Sequence, residues 1–121
     1  MKHKKINVDM YGFRVDVIEC ESDKECDLLC KFFKGAKLKD PIVDEILDAV
    51  REGDTDGGWT LACLGAKREI VVLLPMSCEE RRRIVLNHEK RHVEDDILRH
   101  CGVEDEEAAA YIAGFLSKFI Y

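Results

Sequence analysis

The run Ile70-Val71-Val72-Leu73-Leu74 constrains the fold more than any other stretch of the chain. A strand of uninterrupted apolar residues has no face to offer water, so it must be covered on both sides. Pro75 stops it, and Ser77-Cys78-Glu79-Glu80 then forms a capping box, Ser77 capping and Glu80 reaching back. A long helical pattern follows through Val93, Ile97 and Leu98 to Gly102, a natural C-cap. A covered strand leading into a long helix is therefore the frame.

That helix contains His88-Glu89-Lys90-Arg91-His92, an HExxH pentapeptide. Histidines four apart on a helix lie one above the other on the same face, so both imidazoles can reach one ion, and imidazole suits zinc. Glu89 sits roughly 100° round the helix from His88. There a carboxylate need not bind the metal and can instead reach the water on it, the arrangement of a zinc-dependent peptidase site. The plainer alternative is a charged, solvated helix face that happens to carry two histidines. Position favours the metal: the motif is mid-helix, after a covered strand and before a second helix with carboxylates at its start. His100 is two turns beyond His92, too far to join the same ion. Asp95 and Leu98 occupy the positions where a metzincin needs glycine and a third histidine, which excludes that subclass. Asp95 and Asp96, one turn beyond His92, are candidates to orient its second ring nitrogen.

With 121 residues, 46% apolar and 36% charged, the chain reads as one globular domain over residues 5–121, able to bury a core without staples. Its net charge of −6, dispersed along the sequence, argues against nucleic-acid binding. No stretch has the length of a membrane span, and no apolar signal-length run follows the basic start, so a cytoplasmic protein is expected. Cys20, Cys26, Cys30, Cys63, Cys78 and Cys101 form no CxxC pair and read as reduced thiols.

In chain order, Lys5–Ile18 alternates as strand, with a phase change at Gly12 that marks either a bulge or a tight hairpin. Ser22-Asp23-Lys24-Glu25 is a capping box for a helix carrying Leu28, Leu29, Phe32 and Phe33 and ending at Gly35. Asp40-Pro41 starts another, with a core stripe of Ile42, Val43, Ile46, Leu47 and Val50. The acidic run Gly53–Gly58 is a turn; it lacks the terminal glutamate of an EF-hand. Trp59–Leu64 and Glu69–Leu74 form a hairpin. Arg81, Arg82 and Arg83 read as solvated surface. Asp105 caps a last helix with Glu106 and Glu107 in its opening turn, Ala108-Ala109-Ala110 keeping it thin, and Ile112, Phe115 and Phe119 as its stripe.

Strand, HExxH helix, short turn and glutamate-opened helix together resemble the zincin metallopeptidases, the gluzincin branch in particular. Asp105-Glu106-Glu107-Ala108-Ala109-Ala110-Tyr111 is similar to the glutamate helix of small bacterial and phage-associated minimal zincins. The resemblance covers Trp59 to Tyr121. It implies an α+β domain in which a mixed or antiparallel sheet packs against the HExxH helix and the C-terminal glutamate helix. It also implies zinc on His88, His92 and a glutamate, the Ile70–Leu74 strand beside the cleft, and hydrolysis of a peptide or protein substrate with Glu89 as general base. Residues alone leave Glu106 and Glu107 both open as third ligand. The family pattern of glutamate, two variable residues, alanine and tyrosine matches Glu107–Tyr111 and selects Glu107, with Tyr111 as a candidate near the metal or substrate. Lys90, Arg91 and Glu94 stand where the family keeps uncharged residues, which implies a more exposed helix. The alternative function is a zincin-like binding or regulatory module, with a structural metal or none, and a purely structural phage or mobile-element protein is a third.

Overall fold

The computed structural model describes residues 2–20, 26–35, 41–52, 57–63, 68–74 and 79–118. The cap at Asp40, the capping boxes at Ser22 and Ser77, Pro75 and the last three residues lie outside these. Among the described residues the chain is a small α+β fold: four strands in one mixed sheet, four α-helices and one 3-10 turn. The strands are β1 (Lys2–Val8), β2 (Phe13–Glu19), β3 (Trp59–Cys63) and β4 (Glu69–Leu74), in the sheet order β1-β2-β4-β3. The helices are α1 (Cys26–Gly35), α2 (Pro41–Arg51), α3 (Glu79–Cys101) and α4 (Glu106–Leu116).

The phase change at Gly12 is a hairpin. Asp9–Tyr11 form the 3-10 turn, and Gly12 takes φ 67°, a left-handed conformation that glycine adopts without steric cost. β1 begins at Lys2, three residues earlier than alternation suggests, with Lys2 opposite Glu19 and Lys4 opposite Val17. Lysines on an outer strand are a common way to protect a sheet edge from stray pairing.

β4 is the centre. It runs parallel to β2 and antiparallel to β3, and Ile70 through Leu74 are all buried. Ile70, Val72 and Leu74 face one core with Val15, Val17, Val85, Leu86, Val93, Ile97, Ile112 and Leu116, which places α3 and α4 on that side. Val71 and Leu73 face the other core with Ile18 of β2, Leu29 and Phe33 of α1, and Ile46 and Val50 of α2. Parallel pairing of β2 and β4 requires a long crossover, and α1 and α2 lie within it. On the α1–α2 face of β2, Asp16 is buried but satisfied: it accepts from His3 Nε2 at 2.7 Å and Arg14 at 3.2 Å.

α3 departs from the expected exposed charges. Lys90 and Glu94 are 14% and 5% exposed and paired at 2.6 Å, with Arg91 adding a contact to Glu94 at 3.5 Å. The charges that looked solvated are thus a largely buried ion pair one turn apart. Arg82 likewise is only 11% exposed and pairs with Glu19 at 3.4 Å, tying α3 to the end of β2.

Replacing Lys90 by Met should lower unfolding stability by roughly 2–3 kcal/mol, less than a fully orphaned charge costs because Arg91 remains near Glu94. Adding Glu94→Leu should restore most of it, since the second charge is then gone as well. Urea unfolding checks both variants, and a double variant no more stable than the single one contradicts the pairing.

Candidate metal centre

α3 presents His88 and His92 on its exposed side and Glu89 towards the sheet. The two Nε2 atoms converge to 3.2 Å, the rings edge-to-face at 4.9 Å between centroids. Two zinc–nitrogen bonds of about 2.0–2.1 Å meeting at a tetrahedral centre hold their nitrogens about 3.3 Å apart. The histidine pair therefore has a separation suited to that ion without any change of backbone. His88, Glu89 and His92 each offer a ligand atom within 4.8 Å of the others, and this is the group of that kind among the described residues.

Glu89 is 5% exposed and accepts a hydrogen bond from the Thr60 hydroxyl of β3. β3, the outer strand, thus joins β4 in packing against α3 and supplies the hydrogen bond to the motif. Gly58 lets it come so close. A Cβ at this position would lie 2.8 Å from Val85 Cγ1, 3.0 Å from the Leu73 carbonyl and 3.2 Å from Glu89 Cγ. Sequence reading missed Thr60. The available signal was weak: a glycine pair beside an outer strand, with no indication of what it approaches.

Asp96, one turn past His92, lies 3.7 Å from Arg99. Burial pushes its carboxyl above the usual range, while Arg99 and His92 pull it back and Asp95 adds to the rise. Asp95 instead lies 3.8 Å from Arg91. His100 packs edge-on against Phe13, away from the pair.

Glu107 is not brought into the cluster. α4 starts as expected, with Asp105 accepting from the Glu107 backbone N–H at 3.0 Å. Ile112 and Leu116 define its buried face. Glu107 lies five residues before Ile112, about 140° round the helix, so its side chain is directed to solvent. Glu106 is exposed too, and Tyr111 is 63% exposed.

No family model, curated protein or solved structure matches the chain. Cys20, Cys30 and Cys101 are free thiols; the other three cysteine side chains lie outside the described residues. No helix among the described residues is long and apolar enough to cross a membrane.

Gly58→Ala should cost about 1–3 kcal/mol of stability, because the added methyl meets backbone and a core valine as well as Glu89. A urea midpoint equal to that of the parent protein contradicts this close approach.

Proposed function

We propose that the chain is a zinc-dependent peptide hydrolase of the zincin type. The observation that carries this reading is the 3.2 Å convergence of His88 and His92 Nε2 beside the Glu89 carboxylate. His88 and His92 hold the ion, with Glu107 of α4 as third ligand by resemblance. When bound, zinc acidifies water and polarises a carbonyl. Glu89 takes the proton from the attacking water as its oxygen bonds to the carbonyl carbon. As the C–N bond breaks, Glu89 passes that proton to the leaving nitrogen. Asp96 steadies the His92 ring. The substrate is a peptide or protein segment.

The exposure of Glu107 outside the histidine cluster favours a second reading, a zincin-like binding or regulatory module without turnover. Glu89 separates the two. In the hydrolase, Glu89→Gln keeps zinc and loses cleavage of a quenched-peptide library by about a hundredfold or more. In the module the substitution changes nothing measurable.

Zinc content of the purified protein should be about one ion per chain, and His88→Ala or His92→Ala should each abolish it. Metal content unaffected by both substitutions contradicts the reading. For the third ligand, Glu107→Gln should weaken zinc binding about tenfold or more, and Glu106→Gln far less. A larger loss from Glu106→Gln transfers the role to that residue; no loss from either removes α4 from the site.

A further inference from the structure

We propose that Thr60 is a positioning residue that aims the Glu89 carboxylate, an inference that rests on the hydrolase reading. A general base must hold one oxygen within hydrogen-bond reach of the proton that it removes. Glutamate has three rotatable side-chain bonds, so a lone Glu89 would spread over many rotamers. The chain at β3 restricts it at two points. At Gly58, just before the strand, a Cβ would lie only 3.2 Å from Glu89 Cγ, so the backbone there comes close to the middle of the side chain. Thr60 Oγ1 donates to Oε2 at the tip. That bond occupies one carboxylate oxygen and leaves Oε1 to take the proton.

Thr60 is itself held firmly. Its backbone pairs with the buried Val72 of β4, and the neighbouring Trp59 and Leu61 pack on the opposite face of the sheet. A β-branched side chain in such a strand has few rotamers, so the hydroxyl is a fixed donor.

A merely structural Thr60 would satisfy a buried carboxylate and affect stability alone. A positioning Thr60 affects the chemical step, because misplacing a reacting group by a fraction of its reach costs rate without changing substrate binding. The experiment compares the zinc-loaded parent protein with Thr60→Val, Thr60→Ser and Glu89→Gln, using the quenched peptide that the parent cleaves fastest. Thr60→Val should keep one zinc per chain, hold KM within about twofold and lower kcat roughly ten- to a hundredfold. Thr60→Ser, which restores the hydroxyl, should recover kcat to within about threefold of the parent. Should the valine variant fail to fold, Thr60→Ala replaces it with the same expectation. Parent-like kcat in the variants lacking the hydroxyl overturns the inference alone. Equal loss in Thr60→Ser and Thr60→Val also overturns it, because the hydroxyl is then not the cause. A zinc-loaded parent that cleaves no peptide, or a fully active Glu89→Gln, overturns the hydrolase reading beneath it.

Discussion

A strand without a polar face has to be covered twice, and the architecture follows from covering β4. Two helices from the first half of the chain cover one side, and α3 and α4 cover the other. The requirement fixes α3 against the sheet with Val85, Leu86, Val93 and Ile97 inward. At 3.6 residues per turn, that choice leaves His88 and His92 outward and swings Glu89 towards the outer strand. The geometry of the candidate site is thus a consequence of how the core is closed.

The outer strand completes the site. Gly58 removes the one side chain that would hold β3 off the helix, and Thr60 then reaches Glu89. A buried carboxylate without a partner would be costly, so the same hydroxyl that satisfies it also restricts its direction. On the far side of α3, Lys90 and Glu94 satisfy each other. The helix therefore carries charged groups into protein contact on both flanks while its histidines stay accessible to an ion from solvent.

Features governed by neighbours in sequence were legible. Gly12 and Gly102 both take φ 67° where a turn and a helix end were expected. Asp105 caps α4, and the i, i+4 histidines converge. Features governed by distant packing were not. Nothing local to Lys90 shows that it will be enclosed, since whether a helix flank is wet depends on what packs beside it. Thr60 and Glu89 are 29 residues apart and meet only through the β3–β4 hairpin and the docking of α3. Glu107 is a case between the two: its place in a family-like pattern selected it, while Ile112 and Leu116 set the rotation of α4 and leave it exposed, outside the histidine cluster. A pattern specifies residues along a helix, but the apolar face decides where they point.

The proposed zinc site stands on His88 and His92 acting together as a ligand pair. X-ray absorption at the zinc edge of the zinc-loaded protein tests it most directly, because it reads the atoms around the ion. Zinc held by the histidine pair should show a first shell of imidazole nitrogen, with oxygen, at about 2.0–2.2 Å. Sulfur at about 2.3 Å would place the ion on cysteines instead, and zinc surrounded by oxygen alone would contradict the histidine pair outright.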